Sequence, residues 1–349
     1  MRFRPLSGDR PGHPVVAILL LILLIALTLA PFLFPGTKAL AAASRICIFI
    51  VLAASYDILL GYTGIVSFAH TMFFAAGAYG VAIPLASGRT DWTFILLGAL
   101  AGAILSAATA AAIALLSLRV QKIFFSMITL AVASLAQILA SQLRDLTGGE
   151  DGLTFSLPTA LTPAFRLFPD PIFGLRIDGR VLTYYLIFAA SLALFCLMLR
   201  IVNAPFGRVL QAIRENEFRA EALGYRTIVY RTLASAIAAA IAALAGAMLA
   251  LALRYTGPEA TISFTIMVDI LLMVVIGGMG TLYSPALGAV VIVLAQTYLQ
   301  PGLQAVSDAT GGLALFHPDR WLLWLGLLFI LIVYFLPAGI VGTLRKHRL

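Results

Sequence analysis

The chain is poor in charge and in the residues from which enzyme sites are assembled. Only 11% of its 349 residues are charged, 15 acidic against 23 basic, and it contains two cysteines and four histidines. Cys47 and Cys196 each fall inside an apolar run, which gives neither a disulfide framework nor a metal-ligand spacing. His13, His70, His317 and His347 are not spaced as a metal pair, so no metal site is expected. No Ser/His/Asp set, paired carboxylates or cofactor glycine loop can be put together either. No G-x-x-x-x-G-K followed by Ser or Thr occurs; the nearest glycine-rich piece, GGMGTLYSP at 277–285, has no lysine and no acidic partner for magnesium. The sequence thus argues against an enzyme, and any ATP-driven motor would have to be another polypeptide.

What the chain has is hydrophobicity: 62% apolar residues and a mean hydropathy of +1.03, too much for one water-soluble core. Ten apolar runs stand out, at 15–34, 39–60, 65–85, 92–118, 123–143, 182–199, 232–253, 264–280, 282–299 and 321–336. The expectation is an all-α polytopic membrane protein of about ten transmembrane helices. It divides into an N-terminal tail (1–14), one transmembrane domain (15–341) and a basic C-terminal tail (342–349). The run at 15–30 followed by KALAAAS at 38–44 imitates a secretory signal, but cutting there would remove the start of the next span, so it is read as a retained first helix.

A net charge of +8 would suggest a nucleic-acid partner in a soluble chain; in a membrane chain it reflects basic residues held on the cytoplasmic side, and no nucleic acid is expected. Ten spans put both ends on one side. An N-in, C-in threading gathers 14 of the 23 basic residues inside, among them Arg2, Arg200, Arg208, Arg231 and Arg348. It leaves one long outer loop at 144–181 and one long inner segment at 202–231.

In that inner segment, GRVLQAIRENEFRAEALG (207–224), Phe206, Leu210, Ile213 and Ala220 recur at helical spacing, with Val209 and Leu223 widening the stripe. The remaining positions include Arg208, Arg214, Glu215, Glu217, Arg219 and Glu221, and Gly224 is a natural stop. One amphipathic helix is expected. It either docks in a protein groove, lies on lipid headgroups, or is a solvated connector. The three glutamates among the arginines fit a protein groove better than anionic lipid.

Arg45, Asp57 and Asp269 are the ionisable residues nearest to or inside spans. Arg45 and Asp57 are twelve residues apart, roughly 18 Å along a helix, so they cannot pair with each other. Boundary residues or packing partners are expected rather than a proton relay. GYTGIVSFAHTMFFAAGAYG (61–80) brackets Ser67, His70 and Thr71 with glycines at 61, 64, 77 and 80, as beside a close backbone approach or a helix break at a cavity. His70 is read as a hydrogen-bonded packing residue, with contact to a transported solute as the alternative. Thr129 and Gln137 either line a route or make interhelical hydrogen bonds, and Gly98, Gly102, Ser106 and Ala110 form a small-residue contact stripe. Tyr62-Thr63-Gly64 with Ser67-Phe68 is echoed by Tyr255-Thr256-Gly257 with Ser263-Phe264, five spans later and at the opposite membrane side. Two inverted five-helix repeats would give such an echo.

Several pieces, in order, resemble the membrane permeases of the branched-chain amino acid ABC transporter family, in particular the larger of its two paired permease types. They are GYTGIVSFAHTMFFAAGAYG (61–80), FFSMITLAVASLAQIL (124–139), TGGEDGL (147–153), FGRVLQAIRENEFRAEALGYRTIVYRTLASAIAAAIAALAGAM (206–248), VVIGGMGTLYSPALGAVVI (274–292) and FLPAGIVG (335–342). The resemblance implies a non-catalytic importer subunit in the bacterial inner membrane that lines a path for branched-chain or related amino acids. Urea, short amides or aromatic acids are same-family substrates, and a stand-alone transporter or channel is the rival reading. It implies a second permease, two ATP-binding subunits that carry ATP and magnesium, and a periplasmic substrate-binding protein. By the same likeness Gly207, Leu210, Ile213, Arg214, Glu215, Asn216, Glu217, Ala220, Leu223 and Gly224 form the coupling segment. Gly61, Gly64, Ser67, His70, Thr129 and Gln137 are candidates for the path. Gly148, Gly149, Glu150, Asp151 and Gly152 are candidates for binding-protein docking, or a structural turn.

Overall fold

The computed structural model describes residues 14–33, 36–117, 122–166, 178–309 and 316–346. The arginine tail 1–13, Arg119, residues 167–177 of the outer loop and Arg348 lie outside the described residues. The chain is built from helices: α1 (Pro14–Leu33), α2 (Thr37–Thr63), α3 (His70–Ala86), α4 (Trp92–Ser117), α5 (Lys122–Gln142), the one-turn α6 (Arg144–Thr147), α7 (Gly179–Asn203), α8 (Pro205–Glu215), α9 (Glu217–Ala222), α10 (Thr227–Leu253), the one-turn α11 (Pro258–Thr261), α12 (Phe264–Gly277), α13 (Tyr283–Ala309), α14 (Trp321–Phe335) and α15 (Gly339–Lys346). Among the described residues nine helices, counting α11 with α12 and α14 with its flanks, are long and apolar enough to cross a membrane, and α3 is a tenth, shorter apolar helix. The ten apolar runs therefore correspond to ten helices of a multi-pass membrane protein. KALAAAS lies within α2.

α2 and α10 are the most deeply buried of these helices. Hydrocarbon gives helices no hydrophobic reason to associate, so close van der Waals contact must hold them, and that calls for small side chains. The alanine-rich α10 supplies them. A Cβ on Gly77 of α3 would stand 1.7 Å from the Ala243 carbonyl oxygen, and one on Gly246 of α10 would stand 1.8 Å from that of Phe74, so the two backbones touch. α4, which packs on both α3 and α10, meets α3 through its stripe as expected: a Cβ at Gly98 would lie 2.2 Å from the Gly80 carbonyl oxygen, and the Ser106 hydroxyl donates to Phe73 O at 3.4 Å.

The packing is reciprocal between halves. α10 packs on α3 and α4, α2 packs on α12 and α13, α2 and α10 pack on each other, and α3 lies on α4 as α12 lies on α13. Two halves, α1–α5 against α7, α10 and α12–α14, would show this pattern if related by inversion. Helices α1, α4, α5 and α14 keep large apolar side chains such as Ile22, Ile104, Ile123 and Ile330 exposed, as helices facing lipid do.

Several boundaries differ from the sequence expectation, among them the start of the seventh span at Thr227 instead of 232 and the end of the sixth at Asn203 instead of 199. The third span begins at His70 instead of 65, because Gly64 turns left-handed (φ 70°) and caps α2, leaving 65–69 non-helical. The eighth helix ends at Gly277 instead of 280, where Gly278 (φ 108°) leaves the helix. The ninth runs on to Ala309, through Pro301. The inner segment is also two helices rather than one. Asn216 is extended (φ −157°, ψ 100°), and its side-chain oxygen accepts from Arg219 N at 2.9 Å, so it caps α9 and interrupts the helix.

Candidate functional site

The chain leaves long helix after α2 and again after α10. After α2 the chain returns into the bundle as the 65–69 stretch, held by α5: Phe68 N–H donates to Thr129 Oγ1 at 3.1 Å, and the Ser126 hydroxyl donates to Val66 O at 2.8 Å. After α10 the chain turns at Arg254, passes through β2 (Tyr255–Thr256) and α11, and begins α12 at Phe264. The two breaks meet, with the rings of Phe68 and Phe264 6.3 Å apart between centroids. Beside them lies a cavity of about 280 Å³, walled by Phe68 and Thr71, by Leu130, Ser134 and Gln137 of α5, and by Phe264 of α12. Leu130 and Phe264 are exposed, so this wall is presented at the surface of the chain.

The path candidates divide by position. Gln137 lines the cavity, and Thr129 fixes the backbone of its rim. Ser67 is buried beside the break. His70 is fully buried at the start of α3, with its Nε2 2.9 Å from Ser55 Oγ and its ring 5.2 Å from that of Tyr56; this is the packing role expected. Gly61 and Gly64 sit at the C-terminal end of α2, away from the cavity lining and against Arg214. The path candidates left out Phe68, Ser134 and Phe264, and also Thr71, which was read only as part of the polar island with Ser67 and His70. The signal for two of them was present in the echo, where each phenylalanine follows a serine after the Tyr-Thr-Gly motif.

At the end of the bundle that carries Gly61 and Gly64, α8 packs across α7, α2 and α10. Leu210, Ile213 and Ala220 are buried against the chain itself, and a Cβ on Gly207 would meet Val202 O at 1.9 Å. The apolar stripe therefore seats the segment on its own membrane domain. Phe206 and Tyr230 rings stack behind it, 5.9 Å apart. Glu217 forms a salt bridge with the buried Arg231 of α10, and the exposed Glu221 accepts from Thr227 Oγ1 at 2.7 Å, so both glutamates are tied to α10. Facing away are Phe218, 82% exposed, and Leu223, 72% exposed, with Arg208, Gln211, Glu215, Arg219 and Gly224 around them.

Arg214 links this ledge to both halves. Its Nη1 donates to Gly61 O at the end of α2, and a Cβ at Gly280 would come within 2.8 Å of that same nitrogen. Gly280 N–H in turn donates to the buried Asp57 carboxylate at 3.2 Å. Asp57 is thus a packing residue that ties α2 to the α12–α13 turn. Asp269 serves likewise, accepting from Gln296 Nε2 at 2.9 Å and lying within electrostatic reach of Arg45.

In the loop after α6, Gly148, Gly149 and Gly152 all have positive φ, and a Cβ at Gly148 would fall 2.1 Å from Gly152 O. They form a tight turn that delivers β1 (Leu153–Thr154) to pair antiparallel with β2, Leu153 opposite Thr256. Glu150 and Asp151 at its tip are exposed.

Comparison with known proteins agrees with this architecture. Residues 39–336 match a family described as "Branched-chain amino acid transport system / permease component". The chain is 27% identical over 353 aligned positions to the high-affinity branched-chain amino acid transport system permease protein LivM of Escherichia coli (strain K12), covering 96% of this chain and 77% of that one. It is 26% identical to the protein of the same description from Salmonella typhimurium, with the same coverage of 96% and 77%. It is also 29% identical over 253 positions to a probable LivM of Methanocaldococcus jannaschii, covering 71% and 68% of the two chains. No solved structure matches. A chain with ten apolar helices among its described residues, matched to that family along most of its length, is a member of the branched-chain amino acid transport permease family.

Proposed function

We propose that the chain is one of two permease subunits of an ATP-driven importer in a bacterial inner membrane, both termini cytoplasmic. Branched-chain or related amino acids are handed over by a periplasmic binding protein, and two ATP-binding subunits supply ATP, magnesium and hydrolysis. The observation that carries this reading is the ledge: its buried stripe and Arg214 fasten it to both halves, while its free face offers Phe218 and Leu223 to a soluble partner. When ATP binding draws two such partners together, α8 and α9 move with them. Arg214 passes that displacement to Gly61 and to the α12–α13 turn, and so to the breaks on either side of Phe68 and Phe264, a rigid-body type of switch.

The cavity suits transit more than storage. Its walls are mostly apolar, with Gln137, Ser134 and Thr71 as polar contacts, so a small amphiphilic solute passes without a deep well to escape. Affinity then resides in the binding protein, and the exposed wall at Leu130 and Phe264 is completed by the second permease. On the outer face, the Glu150 and Asp151 tip of the glycine turn offers the binding protein a charged contact.

The test is Phe218→Asp combined with Leu223→Asp in the complex purified from its native membrane. The variant chain inserts normally, and the copurifying ATP-binding subunit and substrate-stimulated ATP hydrolysis are lost. Retention of both would refute the docking role.

A further inference from the structure

At the outer ends of α2, α7 and α10 lies a second polar cavity of about 220 Å³, lined by Thr37 and Ser44, by Arg180 and Thr183, and by Arg254. Two guanidinium groups share it, and neither forms a salt bridge among the described residues. The nearest carboxylate, Asp178, is occupied as the cap of α7, accepting from Arg180 N at 3.1 Å and Val181 N at 3.2 Å. Arg254 has its pKa lowered by burial and by neighbouring Arg180, a tendency that Asp178 opposes, so a positive field is left in the cavity. Its backbone is unusual as well. Arg254 is the only non-glycine with positive φ (57°) among the described residues, at a helix C-cap where glycine is the ordinary choice. One of its nitrogens, Nη2, donates to Leu161 O at 3.0 Å.

Depth identifies the occupant. α2 has 27 residues, about 40 Å, enough to span the hydrocarbon and both headgroup layers, so its first turns stand at headgroup level. The cavity reaches down to Ser44, about 10 Å below Thr37, and has Leu40 and Ala252 in its walls, deeper than the rim a soluble partner reaches. One helical turn further in, past Ser44 on α2 and Tyr184 on α7, an apolar cavity of about 270 Å³ begins at Cys47 and Phe188. Cations at headgroup depth above an apolar recess along the same two helices match a phosphate with acyl chains beneath it.

We infer that Arg180 and Arg254 form a binding site for the phosphate of an anionic phospholipid of the outer leaflet, the acyl chains running down toward the apolar cavity that Leu20, Leu23 and Leu27 of α1 wall together with α2 and α7.

The experiment is native mass spectrometry of the full chain in mild detergent, titrated separately with phosphatidylglycerol, phosphatidylcholine and inorganic phosphate. One equivalent of phosphatidylglycerol is retained with about tenfold or greater preference over phosphatidylcholine, and millimolar phosphate does not displace it. Arg180→Gln reduces that affinity by about tenfold and Arg180→Lys restores part of it. Arg254→Gln also removes the bond to Leu161 and risks misfolding, so Arg180 carries the test. Equal retention of the two lipids, or no change in Arg180→Gln, overturns the site. Displacement by phosphate alone makes it a free-anion site and overturns the lipid assignment. So does an Arg180→Gln chain that keeps its lipid but no longer associates with a soluble partner, the occupant then being an acidic side chain.

Discussion

Thr129→Val isolates the contact that holds the first break in place. Thr129 is buried on α5, accepts Phe68 N–H at 3.1 Å and donates to Ser126 O at 2.9 Å. Valine keeps the branched shape but removes the hydroxyl, so the Phe68 amide is left without this partner in a stretch with no helical carbonyl to turn to. An unmet buried donor costs about 1–3 kcal/mol in soluble proteins. Interhelical bonds in membranes average about 0.6 kcal/mol, with a maximum near 1.7, because the alternative state finds other partners. A non-helical amide has fewer such alternatives, which puts this bond at the upper end, about 1.4 kcal/mol or one decade in the opening equilibrium. Hydrogen exchange read by mass spectrometry reports that decade directly. Deuterium uptake of the peptide covering 64–69 becomes about tenfold faster in Thr129→Val and stays near wild type in Thr129→Ser. Unchanged protection in the valine variant would show that the stretch is held by other contacts, and the assignment of Thr129 to the rim would fall.

Three other outcomes follow from the packing. Gly77→Ala drives a methyl into the Ala243 carbonyl and lowers stability by about 1–3 kcal/mol, read as a fall in the thermal midpoint in detergent; an unchanged midpoint would mean α3 and α10 are not in backbone contact. Glu217→Gln leaves the buried Arg231 without its charge partner, whereas Glu217→Gln with Arg231→Met removes both, so the single variant is the less stable of the two by about 1–3 kcal/mol in chemical unfolding. Equal stabilities would show that the pair is screened by solvent. Gly148→Ala collides with Gly152 O and opens the outer turn to protease cleavage at 147–153, while Glu150→Gln leaves the cleavage pattern unchanged and affects only association with a binding protein.

How much of this was legible depends on which force shapes each part. The ten spans were readable because crossing hydrocarbon demands long apolar runs, and the small-residue stripe of α4 because close packing demands small side chains. The extension of α13 past residue 299 was hidden by Gln300, Gln304 and Asp308, polar residues that a helix tolerates once it has left the hydrocarbon. The 65–69 break was legible only as one of two options offered by the flanking glycines, since its residues are largely apolar and the hydroxyls that hold it come from α5, some 60 positions away. The inner segment shows the limit of periodicity. Leu210 and Ile213 are a buried stripe, as their spacing indicates, yet spacing does not say what they are buried against, and the answer is their own chain. Asn216 is compatible with helix by pattern and breaks it by capping, a choice made by local hydrogen bonding.

The contact of Gly77 with Ala243 and of Gly246 with Phe74 has a mechanical consequence. Where side chains separate two helices, ridges can climb over one another and the pair can shear in small steps; where main chains touch, there is no such layer to slip. α3 and α10 are in that sense welded, and α4, seated on α3 through Gly98 and Gly102, belongs to the same plate. α12 and α13 are joined in the same manner, a Cβ on Gly288 standing 1.8 Å from Met273 O. α2, packed on α10 on one side and on α12 and α13 on the other, lies between these two stiff plates, which also meet where Phe68 faces Phe264.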